Sequence, residues 1–208
     1  MDNGDNGIVF SAEELNLMQD ENLLRTKQAI IKKMHQLLAD TEYHLRQTVS
    51  AKIKSLPEYI LTQTGKISRG ENYHDLPYLV LDFPRHFTQE AIFAYRTMFW
   101  WGNFLSCTLH LQGKALEKFR TNLLTNLPTL KEDIFFCIAP TPWEYHYGSD
   151  NYVVMNEIPV QKLEQLIATK DFIKISRKLP LESYDQLAGF STDTFDLFWK
   201  AITETNRF

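Results

Sequence analysis

The stretch from Glu21 to Ser55 contains neither proline nor glycine, and its apolar residues recur at intervals of three, four or seven. This spacing is typical of a helix with one wide apolar face. The residues on that face are Leu24, Ile31, Met34, Leu38, Leu45 and Val49. A single helix over this stretch would measure about 52 Å, whereas a compact domain of this chain length has a diameter of about 43 Å. We expect the helix either to break near Asp40 and Thr41 or to project and pair with a second copy, and we favour the break.

After Leu56 and Pro57 the pattern changes to short β-rich segments that alternate with helical ones. The segment LPYLVLDFP predicts a strand, and the two runs on either side of Gly102-Asn103 predict a β-hairpin. Thr88 to Trp101 is compatible with a helix, but its aromatic and β-branched residues favour strands. The chain is therefore predicted to have an α+β fold, with a mainly antiparallel sheet of about five strands. An N-terminal helical segment precedes this sheet, and C-terminal helices cover it.

The expected domain organisation follows from the same pattern. Residues 1–10 contain two Asp/Asn-Gly pairs and predict a flexible tail. Residues 11–208 form a single α+β domain, helical over 11–56 and mixed over 66–208. A chain of this length is long enough for one sizeable core and marginal for two.

A two-residue turn at the Gly-Asn pair would determine the register of the hairpin, because glycine supplies the positive φ that its first central position requires. Trp101 would then pair with Phe104, and Tyr95 would lie opposite His110. Adjacent residues point to opposite sides of a sheet, so the two tryptophans would be separated. The predicted core face holds Ala94, Arg96, Met98 and Trp100 against Leu105, Cys107, Leu109 and Leu111.

Arg96 is unusual on a predicted core face, because a buried guanidinium needs a partner. Asp82, in the preceding strand, is the carboxylate that we expect to pair with it. The opposite face combines aromatic rings with a few polar groups, which is the usual composition of a small-molecule pocket. Arg96 would then hold an anion. Alternatively, Arg96 and Asp82 form a structural ion pair, and His110 belongs to an ordinary covered sheet face.

The loop APTPWEYHYGSDN, from Ala139 to Asn151, brings Trp143, Glu144 and His146 together. Such loops often carry function. Glu144 and His146 can converge in an extended segment, but a metal site needs three or more ligands and no further pair has ligand spacing. Additional ligands would have to come from His74, His86 or His110. We therefore predict neither a metal nor a cofactor.

Three function hypotheses remain open, and the first is a module that binds a small anionic or aromatic ligand on the aromatic sheet face. The candidate ligand-binding residues are Asp82, Tyr95, Arg96, Trp101, Thr108, His110, Trp143, Glu144 and His146. The second is protein interaction or self-assembly through the N-terminal helix, which is basic between Arg25 and Lys54. The third is an enzyme with a Glu/Asp–His acid/base pair, although no nucleophile or phosphate-loop motif supports a reaction class.

The composition of the chain limits the classes of partner and the location that we expect for the protein. A net charge of −4 disfavours nucleic acid, and no apolar run approaches the roughly 20 residues of a membrane helix. The first residues are acidic, unlike a secretory signal. We expect a soluble, cytoplasmic monomer or homodimer. Cys107 and Cys137 lack metal-ligand spacing and are expected to be buried.

Overall fold

The structure, a computed structural model, describes residues 8–60, 62–130 and 133–203. Within these ranges the chain forms five α-helices and seven β-strands. The helices are α1 (Ala12–Gln19), α2 (Glu21–Ser50), α3 (Lys114–Asn126), α4 (Val160–Thr169) and α5 (Leu187–Thr203). The strands are β1 (Lys66–Tyr73), β2 (Leu76–Phe87), β3 (Ala91–Trp100), β4 (Phe104–Gly113), β5 (Phe135–Cys137), β6 (Tyr152–Val154) and β7 (Phe172–Leu179). Most of the tail predicted at 1–10 lies outside the described residues.

All seven strands belong to one antiparallel sheet in the order β1-β2-β3-β4-β7-β5-β6. The predicted α+β fold is confirmed, with seven strands rather than about five. One additional strand, β1, forms where the sequence suggested only a polar connection. Its exposed Lys66, Arg69 and Glu71 lie at the sheet edge, where charged side chains protect an edge strand from pairing with another chain.

Helices α2, α3 and α5 pack on one side of the sheet, and the main hydrophobic core lies between these layers. We call this side the helical face. The hydroxyl of Tyr95 donates a 2.6 Å hydrogen bond to the backbone carbonyl of Ser191 on α5, which satisfies a buried polar group. The residues of β3 and β4 on the helical face are Phe93, Tyr95, Thr97, Phe99, Leu105, Cys107, Leu109 and Leu111.

Helix α2 is continuous, so the predicted break near Asp40 and Thr41 is wrong. The hydroxyl of Thr41 donates to the carbonyl oxygen of Leu37 at 2.8 Å, which lets this residue stay inside the helix instead of capping a new one. From Ile31 onwards the apolar stripe is buried against the rest of the chain, as predicted. Leu24 departs from that prediction and is 59% exposed. The helix therefore projects beyond the core at its N-terminal end.

The β3–β4 hairpin is confirmed, but its predicted register is wrong by one residue. Trp100, not Trp101, pairs with Phe104, and the connection contains three residues. The carbonyl of Trp100 accepts a 3.1 Å hydrogen bond from the N–H of Asn103, and Gly102 has a φ of 70°. Gly102 is thus the second central residue of its turn, as in a type II turn, whereas the prediction placed it first.

This one-residue shift reverses the predicted faces of β3, because slipping a strand by one residue moves its whole side-chain set to the other face. Tyr95 now pairs with Leu109, and His110 pairs with Ala94, so Tyr95 and His110 do not face each other. Ala94, Arg96, Met98 and Trp100 lie on the side away from the helices, which residues 138–151 cover. We call this side the loop face. Trp101 packs against the core of the helical face, so the tryptophans do separate, in the opposite sense to the prediction.

The predicted burial of Cys107 and Cys137 is confirmed, and the N-terminal helix has a defined cap. Ser11 and Glu14 form the capping box that starts α1, although none of the residues of α1 is buried. Cys107 and Cys137 are buried free thiols. Among the described residues, none of the helices has both the length and the apolar character needed to cross a membrane.

Candidate functional site

A bidentate ion pair lies at the centre of the loop face. Arg96 and Asp82 are direct partners on β3 and β2, and Arg96 donates from Nε at 2.7 Å and from Nη2 at 2.8 Å to the two carboxylate oxygens. The side chains are only 19% and 7% exposed. Burial lowers the pKa of Arg96, but the hydrogen bonds to Asp82, together with the electrostatic interactions with Tyr145, Asp82 and Tyr78, outweigh burial and raise the pKa of the guanidinium. The predicted pairing is confirmed, and two of the three guanidinium nitrogens serve a structural role.

Tyr145 connects this ion pair with a second buried cation. The ring centroid of Tyr145 lies 4.9 Å from Cζ of Arg96 and 4.2 Å from Nζ of Lys174 on β7, both within the range of cation–π contacts. Lys174 is fully buried and donates to the carbonyl oxygens of Pro142, at 2.7 Å, and of Glu144. Its pKa is lowered to about 8, chiefly by burial and further by the nearby positive charge of Arg96. Lys174 therefore holds the loop down and remains mainly protonated at neutral pH.

A cleft of about 210 Å³ opens between the loop face and the loop above it. A cavity of about 150 Å³ holds a benzene ring, so this space accepts one substituted ring. Trp143 stands at the cleft and is 53% exposed. The lining residues are Tyr73, Tyr78, Val80, Arg96, Met98, Trp143 and Tyr145. The combination of aromatic walls and a single guanidinium matches the composition of small-molecule sites.

Tyr73, the last residue of β1, determines the position of the loop. Its hydroxyl accepts hydrogen bonds from the backbone N–H groups of Tyr145, at 2.6 Å, and His146, at 3.0 Å. The same hydroxyl donates to Oε2 of Glu144 at 3.0 Å. Burial, together with the negative charge of Glu144, raises the pKa of Tyr73 to about 12, although the two N–H donors oppose this shift. The hydroxyl therefore stays protonated at neutral pH and keeps its role as a donor to Glu144.

Two histidines lie beside Glu144 at the edge of the cleft. Oε2 of Glu144 is 3.4 Å from Nε2 of His74 and 3.9 Å from Nε2 of His146. His74 lies in the β1–β2 turn, where it and Asp75 have φ values of 49° and 62°, a left-handed conformation that histidine and aspartate tolerate better than most residues. Burial tends to raise the pKa of Glu144, but the hydrogen bonds with Tyr73 and His74 and the adjacent histidines lower it.

The predicted site residues separate into three groups. Asp82, Arg96 and Trp143 support or line the cleft, and Glu144 and His146 lie at its edge, so these five belong together. Thr108 and His110 are on the same face but deeper under the loop. Tyr95 and Trp101 lie on the helical side because of the register shift, so they do not contribute to this cleft.

His110 and Thr108 are packed as parts of the protein interior. The His110 ring centroid is 5.8 Å from that of Trp143, and burial together with the positive charges of Lys174 and Arg96 lowers its pKa to about 3. Thr108 shares a 2.7 Å hydrogen bond with Ser176. His110 is therefore neutral at physiological pH, and its protonated form is not available there as a general acid.

The predicted site residues did not include four important ones, Tyr73, His74, Tyr145 and Lys174, although His74 was named as a possible distant metal ligand. Tyr73 and His74 fall in the segment interpreted as a polar connection, where no strand was expected. Lys174 had a detectable signal, because it alternates with Ile173 and Ile175 and so must point away from their face. The contact of Tyr145 with two cations depends on the loop path, which no local pattern specifies.

A second, larger cavity lies on the helical side. This groove has a volume of about 780 Å³ and lies between α2, the end of the β3–β4 hairpin and the short helical segment Leu181–Gln186. Its walls are mainly apolar. They are formed by Ile30, Met34, Leu37, Phe99, Trp101, Leu181 and Tyr184, together with Lys33, Gln36, Asp40 and Gly102.

Comparison with known proteins gives no assignment, because no protein-family model, curated protein or solved structure matches the chain. The chemistry of the described residues is therefore the basis for a proposal. Ser106 and Cys107 are buried strand residues, and burial raises the pKa of the Cys107 thiol, which disfavours the nucleophilic thiolate. Asp82 is engaged by Arg96.

Proposed function

We propose that the protein binds a small aromatic anion in the cleft between the loop face and residues 138–151. The observation that carries this proposal is the combination of a ring-sized cleft with buried positive charge beneath it. Lys174 is fully buried and the side chain of Arg96 is only 19% exposed. The carboxylate of Asp82 pairs with Arg96. Among the residues that the structure describes, Lys174 forms no ion pair.

Charge supports the anionic part of the ligand. A buried cation without a counter-ion is costly, so an anion that enters the cleft would offset part of that cost. Nη1 of Arg96 forms no hydrogen bond with any described residue, and the guanidinium lines the cleft. A carboxylate placed at the inner end of the cleft would accept a charge-assisted hydrogen bond from this nitrogen.

The aromatic part of the ligand is supported by the cleft walls. Tyr73, Tyr78 and Trp143 present rings around the opening, and Val80 and Met98 form its floor. Offset or edge-on packing between rings contributes about 0.5–1.5 kcal/mol per pair beyond the area that is buried. A single ring with one negative substituent therefore fits both the volume and the chemistry of the cleft.

Ligand-observed NMR with benzoate and benzamide tests this function, because the two molecules have similar shape and differ in charge. We expect a stronger saturation-transfer signal from benzoate than from benzamide. Val80→Phe should fill the cleft and abolish the benzoate signal. Val160→Phe, at an exposed position on α4, is the matched control and should keep it. Equal benzoate binding by both variants would contradict the proposed site.

A second function, self-association, is supported by a separate observation. Residues 8–24, which we call the arm, carry large apolar side chains that are each at least 43% exposed: Ile8, Val9, Phe10, Leu15, Leu17, Met18, Leu23 and Leu24. Exposed apolar clusters of this kind mark interaction sites. The arm of a second copy is the occupant that fits the groove beside α2. The arm is acidic up to Glu21, whereas the groove is lined by one basic residue, Lys33, and one acidic residue, Asp40, and Lys32 precedes Lys33 in the chain.

Sedimentation equilibrium on the whole chain tests self-association. A reversible dimer is expected, and Leu17→Glu together with Leu24→Glu should shift it to monomer without loss of secondary structure. His35→Asn, on the exposed side of α2, is the control and should leave the equilibrium unchanged. A monomeric wild-type protein at every concentration would contradict this second function.

A further inference from the structure

We propose that His74, Glu144 and His146 form a binding site for a divalent transition metal, with Zn²⁺ as the preferred ion. One ring nitrogen of each histidine and one carboxylate oxygen of Glu144 lie within 4.8 Å of one another. Two imidazole nitrogens and one carboxylate oxygen are a donor set that binds zinc in proteins and leaves a fourth position open. The inference depends only on these side chains and their supports, and it stands whether or not the cleft binds an aromatic anion.

The distances already approach those of a tetrahedral site. With zinc–ligand bonds of about 2.0–2.1 Å, neighbouring ligand atoms in a tetrahedron are separated by about 3.4 Å. The His74–Glu144 distance is 3.4 Å and the His146–Glu144 distance is 3.9 Å. The histidine rings are in edge-on contact, with centroids 5.0 Å apart. Small rotations of these partly exposed side chains would therefore bring the ligand atoms to that geometry.

Tyr73 pre-positions the carboxylate ligand and the loop that carries it. Its hydroxyl donates to Glu144 and accepts from the N–H groups of Tyr145 and His146, so one half-buried phenol holds two of the three ligand-bearing residues. Outer contacts of this kind orient metal ligands and contribute to affinity. The third ligand, His74, directly follows Tyr73 in the chain.

Asp150 is placed to support His146 once a metal is bound. In the structure, Nδ1 of His146 accepts a 3.1 Å hydrogen bond from the N–H of Gly148, and Oδ1 of Asp150 is 3.9 Å from the same nitrogen. A metal on Nε2 requires the lone pair of that nitrogen, which moves the proton of the neutral ring to Nδ1. Nδ1 must then donate, and the carboxylate of Asp150 is the nearby acceptor. Histidine ligands in metal sites commonly have such a carboxylate partner.

The site would also change the charge at the edge of the cleft. Without a metal, Glu144 adds a negative charge beside the lining residue Tyr73. A bound divalent ion reverses that sign and offers its fourth position to water or to a donor atom of a ligand. Metal binding would therefore favour anions in the cleft.

Isothermal titration of ZnCl₂ into the full chain tests the site directly. We expect one Zn²⁺ per chain for the wild type. His74→Asn should weaken binding at least tenfold, and asparagine tolerates the left-handed backbone of this turn. Glu144→Gln should act similarly while it keeps an acceptor for Tyr73. His35→Asn removes an exposed histidine from α2 and should leave binding unchanged.

Two further measurements make the outcome decisive. Asp150→Asn should weaken Zn²⁺ binding by about 10- to 100-fold and change the visible spectrum of bound Co²⁺, which a purely structural role would not do. Val80→Phe should retain full Zn²⁺ affinity, so failure of the aromatic-anion proposal leaves this result unaffected. No stoichiometric Zn²⁺ binding by the wild type, or wild-type affinity in both the His74→Asn and the Glu144→Gln variants, would overturn the site.

Discussion

The Arg96–Asp82 pair shows how much a single buried charge depends on its partner. Removing one partner of a buried pair leaves an uncompensated charge and costs about 3–5 kcal/mol, whereas replacing both by apolar residues is often neutral or stabilising. Both side chains are largely buried, and Asp82 is even less exposed than Arg96. We therefore expect Arg96→Met and Asp82→Leu each to lower the free energy of unfolding by about 3–5 kcal/mol. The double variant should be close to the wild type. Urea denaturation of the three variants measures this coupling, and small additive effects would refute it.

His110 makes stability depend on pH. Its pKa in the folded state is lowered to about 3 by burial and by the charges of Lys174 and Arg96, whereas the ordinary value of histidine is about 6.5. Between these values the unfolded chain binds more protons, so the free energy of unfolding falls as the pH drops from 6.5 towards 3. The loss attributable to His110 is on the order of 4 kcal/mol.

The variant His110→Leu isolates this contribution. It should show a shallower loss of stability between pH 6.5 and 4 than the wild type, when urea denaturation is repeated at each pH. Other titrating groups are common to both proteins and therefore cancel in the difference. Parallel pH profiles for the two proteins would mean that His110 is protonated in the folded state.

At the scale of elements, the two positive-φ glycines at the ends of β4 allow a matched comparison. Gly102 and Gly113 have φ values of 70° and 58°. An added Cβ at Gly102 would meet no atom within 4 Å, whereas at Gly113 it would overlap the carbonyl oxygen of Glu90. Gly102→Ala should therefore cost about 1 kcal/mol, from backbone conformation alone. Gly113→Ala should cost clearly more, and equal losses in thermal denaturation would contradict this packing.

The elements also show what local sequence can predict. The β3–β4 hairpin was predictable from its alternation and its turn residues. Its register was not, because a glycine with positive φ suits either central position of the turn, and the choice between them moves every side chain of β3 to the other face. The pairing of Arg96 with Asp82 was predicted correctly because it depends on β2 and β3 and not on that turn. The side of the sheet to which Lys174 points was predictable from the alternation along its strand, but the path of the loop that it anchors was not.

At the scale of the whole molecule, we expect the arm to contribute little to the stability of the folded core. None of the residues of α1 is buried, so removing residues 1–19 should change the free energy of unfolding by less than about 0.5 kcal/mol. Asp20, which caps α2, is retained in this variant. Denaturation of the shortened chain provides the check. A loss of several kcal/mol in the free energy of unfolding would show that the arm packs on its own core. The shortened chain should also no longer form the dimer, even when its stability equals that of the wild type.

The length of α2 illustrates why overall shape is hard to predict. A helix longer than a compact domain had two possible outcomes, and the sequence did not favour projection, because Asp40 and Thr41 resemble caps. In the structure the helix is continuous, because the hydroxyl of Thr41 donates to the carbonyl of Leu37 instead of capping a new helix. The cleft, in contrast, arises only when β1, the sheet and residues 138–151 come together, and no single segment encodes it.

The most direct measurement of the cleft's role is a crystal structure of the protein soaked with benzoate. We predict density for one ring between Tyr78 and Trp143, with the carboxylate within hydrogen-bonding distance of Nη1 of Arg96. An unoccupied cleft, with benzoate bound instead in the groove beside α2 or nowhere on the protein, would contradict the proposed function.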